Sequence, residues 1–258
     1  MDLQLKNKTA IVTGGSAGIG LAIVQALIAE GVAVTVPGRS KEKLDKTLTG
    51  IANVKAIVAD PATAEGVKSL IQQVPETDIL INNLGVYEPK AFTDITDADW
   101  LSIFETNVLS GARLSRHYFP GMLQRNNGRV IFISSESGVM TPAEMIHYGV
   151  TKSAQLAISR GLAELTKGTA VTVNTVMPGP TRSEGIVEFL EKISSIPNPT
   201  AEQAEKEFFE KHRSSSLLQR LIESSEIANL VTFLASPLSS ATHGAALRAE
   251  GGLLRSIV

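Results

Sequence analysis

Tyr148 and Lys152 stand four residues apart, a spacing that places both on one face of a helix with the ammonium near the phenol. A free phenol, with a pKa of about 10, is a poor proton donor or acceptor at neutral pH. One ammonium roughly 5 Å away, at an effective dielectric of about 20, favours the phenolate by about 3 kcal/mol, or roughly two pKa units. Such a pair suits acid–base work on the oxygen of an alcohol or ketone. Ser135 lies thirteen residues before Tyr148 in the run SSESGVMTPAEMIHYGVTK at 134–152, a spacing that fits the same chemistry. An isolated tyrosine and lysine also describe an ordinary helix surface, so the rest of the chain must support the reading.

The start of the chain does so. Residues 9–27, TAIVTGGSAGIGLAIVQAL, pass from a β-branched apolar run through a glycine-rich turn into a helical pattern. Glycines at 14, 15, 18 and 20 permit a tight turn and let a phosphate approach backbone N–H groups at a helix N-terminus. The spacing differs from the G-x-G-x-x-G dinucleotide fingerprint. Strand-like runs follow at 32–36, 53–59, 78–82, 129–134, 170–176 and 245–249, after the first at 9–13. Helical patterns near 18–30, 40–51, 63–74, 97–124, 147–167 and 224–235 separate them. This alternation predicts one α/β domain over 1–258, a Rossmann-type doubly wound parallel sheet of about seven strands. A β/α barrel would want eight similar units. The irregular stretch 180–216, with two short helical patterns, Pro197, Pro199 and apolar Ile186, Phe189, Leu190 and Ile193, reads as an excursion too long to be a plain connection.

Bulk properties narrow the function. The 258 residues are 43% hydrophobic and 19% charged, which is ordinary for a globular chain with a sizeable core. A net charge of −2 gives no reason to expect nucleic-acid or membrane partners. There is no cysteine, and the N-terminus lacks the layout of a signal peptide, so a cytoplasmic protein is expected. The histidines at 117, 147, 212 and 243 show no metal-ligand spacing, and no catalytic metal is expected. His147 points away from its neighbour Tyr148 on a helix. Glu136 and Glu144, which bracket the loop before Tyr148, could face substrate or water, and water is the preferred reading.

The set TGGSAGIG at 13–20, Asp60, NNLG at 82–85, Asn107, Ser135, Tyr148/Lys152 and PGPTRS at 178–183, in this order, resembles the short-chain dehydrogenase/reductase (SDR) family. Its 3-oxoacyl-carrier-protein reductase-like members are the nearest in pattern. The resemblance implies hydride transfer between NADP(H) and a ketone or secondary alcohol. Tyr148 would be the general acid/base, Ser135 would orient the reacting oxygen, and Lys152 would lower the tyrosine pKa and hold the nicotinamide ribose. Asn107 would complete a water-linked proton relay to Lys152. For the cofactor it implies Gly14, Ser16, Gly18, Ile19 and Gly20 at the pyrophosphate, Asp60 at the adenine amino group, and Asn83 and Gly85 along its side. Pro178 and Gly179 would turn against the nicotinamide, with Thr181 and Ser183 meeting its carboxamide and pyrophosphate. The stretch 180–216 would be a substrate lid.

Cofactor choice turns on the end of the second strand. An NAD site places an acid about twenty residues beyond the glycine turn. Here Gly38 stands there, followed by Arg39 and Ser40, and a guanidinium on a 2′-phosphate is worth about 1.5–3 kcal/mol. NADP is therefore expected, with NAD the alternative. The competing functions are an NAD-dependent sugar, polyol or steroid alcohol dehydrogenase and a non-enzymatic NADP-binding sensor or scaffold. Arg113, Arg116, His117, Arg125 and Arg129 could meet an acidic acyl carrier, although such a cluster is more often a solvated face. The family habit implies a homo-oligomer, dimer or tetramer, through the helices at 97–124 and 147–167.

Overall fold

A computed structural model describes residues 1–257. Seven parallel strands form one sheet: β1 (Thr9–Val12), β2 (Ala33–Gly38), β3 (Val54–Val58), β4 (Ile79–Asn82), β5 (Arg129–Ile133), β6 (Thr172–Pro178) and β7 (Ala246–Ala249). Their order across the sheet is β3-β2-β1-β4-β5-β6-β7. The chain starts at the centre, winds outward to β3, then crosses back past β1 to lay down β4. That reversal opens a crevice beyond the carboxyl ends of β1 and β4, where a doubly wound sheet binds its ligand.

The helices are α1 (Gly18–Ala29), α2 (Lys41–Leu48), α3 (Ala64–Gln73), α4 (Asp97–Phe104), α5 (Ser110–Gln124), α6 (Ile146–Glu164), α7 (Glu184–Ile193), α8 (Ala201–Lys211) and α9 (Ser224–Ala235). Alternate strand residues feed two cores. Val12 and Ile81 pack with Ile23, Val24 and Leu27 of α1 and Ile227 and Val231 of α9. Ile11 and Leu80 pack with Leu70 of α3 and Leu114, Tyr118 and Met122 of α5. This two-sided burial explains why the strands read as unbroken apolar runs.

Two elements depart from the sequence expectation. β2 continues through Pro37 and Gly38 because it pairs there only with β3, at Ile57 and Val58, while its pairing with β1 ends at Thr35. The N–H that proline lacks is thus not needed. The helix expected over 97–124 is interrupted by a π-helical turn, Glu105–Leu109, between α4 and α5. The stretch 180–216 carries α7 and α8 as two helices with a small core of their own, Leu190, Ala204, Phe208, Phe209 and Leu221. Among the described residues no helix is long and apolar enough to cross a membrane.

Candidate active site

The turn after β1 is shaped by glycine. Gly14 and Gly18 take φ of +65° and +49°, and a Cβ on Gly20 would stand 2.2 Å from the Gly14 carbonyl oxygen. Helices α2, α3, α4, α7 and α8 begin with a side-chain cap from Ser40, Thr63, Thr96, Ser183 and Thr200. Helix α1 begins at Ala17, which offers none, so its first N–H groups are left for an anionic group in the crevice. Thr13 braces the far wall, its Oγ1 accepting the N–H groups of Asn83 and Leu84 at 2.9 Å each. Asn83 Nδ2 in turn donates to the Thr13 carbonyl at 2.9 Å.

A cavity of about 1180 Å³ runs from this turn to the catalytic residues. Of the expected residues, Gly14, Ser16, Gly18, Ile19, Gly20, Ser40, Asn83, Gly85, Pro178, Gly179, Thr181 and Ser183 line it, as do Ser135, Tyr148 and Lys152. A dinucleotide and a small substrate fit a space of this size and lining. Arg39, exposed just past β2, is absent from that lining, which includes instead Lys43 and Lys46, two cations the sequence reading did not single out. Asp60 is absent from that lining. Its Oδ1 accepts the Ala62 N–H at 3.0 Å, so here it caps the turn after β3.

The catalytic end is held by β5 and α6. Ser134 Oγ donates to the Lys152 carbonyl at 2.8 Å, tying helix to strand. Ser135 and Tyr148 both line this end of the cavity, and Lys152 Nζ lies 5.6 Å from the centre of the Tyr148 ring. Tyr87 packs edge-on against Tyr148 with centroids 6.1 Å apart. Lys152 Nζ donates to the Ile133 carbonyl at 2.9 Å and to Gln155 Oε1 at 3.1 Å.

Asn107 is placed by the π turn, and its side chain is spent on neighbours. Oδ1 accepts the Val86 N–H at 2.8 Å, while Nδ2 donates to the Val86 carbonyl at 2.9 Å and to Thr151 Oγ1 at 3.0 Å. The Asn107 carbonyl accepts from Gln155 Nε2 at 2.7 Å. The side-chain amide of Gln155 thus joins the Asn107 carbonyl to Lys152. Sequence reasoning passed over Gln155, although it lies three residues beyond Lys152 on the same helix face.

The electrostatics also correct an expectation. Burial pushes the Tyr148 phenol well above its ordinary value, and the charge of Glu136 and the neighbouring Tyr87 push it further. The same burial lowers Lys152 itself to about 8. Glu136, expected to face water, is only 6% exposed. Its Oε2 accepts the Ser135 hydroxyl at 2.5 Å. Burial raises its pKa, against the pull of the Ser135 hydrogen bond and the charge of Arg213. Arg213, just past α8, reaches into the cavity, sits 5.4 Å over the Phe208 ring and pairs with Glu144 at 3.3 Å.

His147 is buried and packs edge-on against Trp100, so it is a packing residue. Among the described residues no three His, Cys, Asp or Glu side chains are grouped to hold a metal ion. Three of the basic residues of 113–129 are engaged locally, while Arg116 is exposed. Arg113 pairs with Glu105 at 2.6 Å and Arg125 with Glu76 at 3.3 Å. Arg129 is buried and donates to the Gly128 and Ala170 carbonyls at 2.8 and 2.9 Å, at the opposite end of β5 from Ser135.

The short chain dehydrogenase family model matches residues 8–193. The oxidoreductase YvaG of Bacillus subtilis is 49% identical over all of both chains. The 3-oxoacyl-[acyl-carrier-protein] reductase FabG of Salmonella typhimurium is 33% identical, over 97% of this chain and 99% of that one. The crystal structure of L-sorbose reductase from Gluconobacter frateurii, complexed with NADPH and L-sorbose, superimposes with a TM-score of 0.93 at 26% identity over all of both chains. The chain belongs to the short-chain dehydrogenase/reductase family. It is an oxidoreductase of that family, whose members bind a nicotinamide cofactor.

Proposed function

We propose that this protein is an NADPH-dependent reductase of ketones, reversible with secondary alcohols. The observation that carries the reading is the meeting of Ser135, Tyr148 and Lys152 at one end of a cavity whose other end is the glycine turn. The nicotinamide supplies the hydride when bound. A carbonyl oxygen set between Tyr148 and Ser135 would take the phenolic proton while the serine hydroxyl holds it in place. Burial keeps that phenol protonated, which suits the acid role. Lys152 and the π turn hold the wall opposite: a Cβ on Gly85 would lie 3.4 Å from Lys152 Nζ and 3.6 Å from Asn107 Oδ1.

For NADP rather than NAD, the support is the glycine at 38 in place of an acid, the exposed Arg39 just past β2, and Lys43 in the cavity lining. The NADPH complex of L-sorbose reductase supports the same choice. The alternatives, an NAD-dependent alcohol dehydrogenase and a cofactor-binding sensor, separate in one experiment. Carbonyl-dependent oxidation of NADPH and NADH is measured for the wild type and Arg39→Asp. The expected result is turnover with NADPH preferred by about 10- to 100-fold, falling towards or below parity in the variant. An unchanged preference would overturn the role of Arg39, and cofactor binding without turnover would favour the sensor.

A further inference from the structure

Ser135 has a single hydroxyl proton, and in this structure that proton is given to Glu136 at 2.5 Å. Its oxygen also accepts the Ser137 N–H at 3.1 Å. Reduction of a carbonyl, as proposed above, needs the serine proton turned onto the substrate oxygen. Glu136 would then lose its Ser135 donor at a position where it is only 6% exposed. A buried carboxylate left without a hydrogen bond is a costly thing to make. Arg213, whose charge acts on Glu136, pairs with Glu144 rather than bonding it.

We propose that Glu136 makes this site selective for carbonyl compounds that carry a hydroxyl on the carbon next to the carbonyl. The inference rests on the reductase reading. Two oxygens on adjacent carbons lie about one hydrogen-bond length apart, as do Ser135 Oγ and Glu136 Oε2. The substrate carbonyl takes the Ser135 proton, and the neighbouring hydroxyl donates to Glu136 in its place, so no buried acceptor is orphaned. A plain ketone brings no donor. A 3-oxo ester sets a second carbonyl oxygen towards the carboxylate, which is worse. The reaction is the one already described: the carbonyl carbon gains hydride from the reduced nicotinamide, its oxygen gains the Tyr148 proton, and the nicotinamide is released oxidised.

The test compares kcat/KM with NADPH for 1-hydroxy-2-butanone, 2-butanone and ethyl acetoacetate, using the wild type and Glu136→Gln. In the wild type the hydroxy ketone is expected to lead 2-butanone by about 10- to 100-fold, with the keto ester no better than 2-butanone. A neutral amide loses less when unpaired and can donate to Ser135, so in Glu136→Gln the ratio should fall to within a few-fold. Equal handling of the three by the wild type would overturn the inference while leaving the reductase reading intact, and needs no variant to fold. A ratio that persists in Glu136→Gln would also overturn it. No NADPH oxidation with any of the three would instead remove the reductase reading on which it stands.

Discussion

Tyr148→Phe is expected to lower kcat for carbonyl reduction by about 10²–10⁴-fold, with little change in cofactor affinity. The phenol is the acidic proton nearest the place where a substrate oxygen would sit, and no other residue is positioned to replace it. Ser135 is hydrogen-bonded to Glu136, and Lys152 to the Ile133 carbonyl and Gln155. The ring itself packs on Tyr87, and phenylalanine keeps that contact. The direction of the pKa shift adds a pH signature. A phenol raised above its ordinary value stays protonated to higher pH, so tyrosine ionisation does not limit reduction anywhere near neutrality. Alcohol oxidation needs the phenolate and should speed up as pH rises into the alkaline range. Steady-state rates in both directions across pH, with NADPH affinity measured by fluorescence titration, check both statements. Oxidation that peaks below neutrality would show that the burial does not govern this tyrosine.

Gly20→Ala is the second large effect. The added Cβ would lie 2.2 Å from the Gly14 carbonyl oxygen and 2.6 Å from Asn83 Nδ2. Neither neighbour is free to move, since Asn83 is bonded to the Thr13 carbonyl and the Gly14 backbone is the cofactor turn itself. Forcing a methyl into such packing costs about 1–3 kcal/mol, which for a chain of this size lowers Tm by roughly 2–12 °C. Because the displaced atoms belong to the turn, NADPH binding should weaken by at least about tenfold. Gly161→Ala is the control. A Cβ there meets nothing within 4 Å, and within α6 alanine is the better helix former, so Tm should hold or rise slightly. Equal melting of the two variants would contradict the packing argument.

The two effects rest on features of different legibility. The glycine turn, the seven strands and the Tyr148/Lys152 pair are local in sequence, where periodicity and spacing speak directly. What lay hidden depended on the third dimension. The π turn at Glu105–Leu109 leaves the apolar pattern of 97–124 intact, so the long segment reads as one helix. Glu136 follows Ser135 in a short 3₁₀ turn, Glu136–Gly138, where nothing local distinguishes a buried carboxylate from a solvated one. Arg213 joins it from the far end of the 180–216 excursion. Asp60 stands outside the cavity lining, and its Oδ1 closes the turn before Ala62. The phenol–ammonium arithmetic counted the attraction of Lys152 and left out the cost of taking the tyrosine out of water, which raises the phenol here.

The most direct test of the central claim follows the hydrogen. NADPH carrying deuterium at both C4 positions is turned over with a ketone substrate, and the alcohol is examined by mass spectrometry and NMR. One deuterium on the carbinol carbon, with none washed into solvent, is the predicted result. An alcohol without deuterium, or NADPH bound tightly and never consumed, would contradict it.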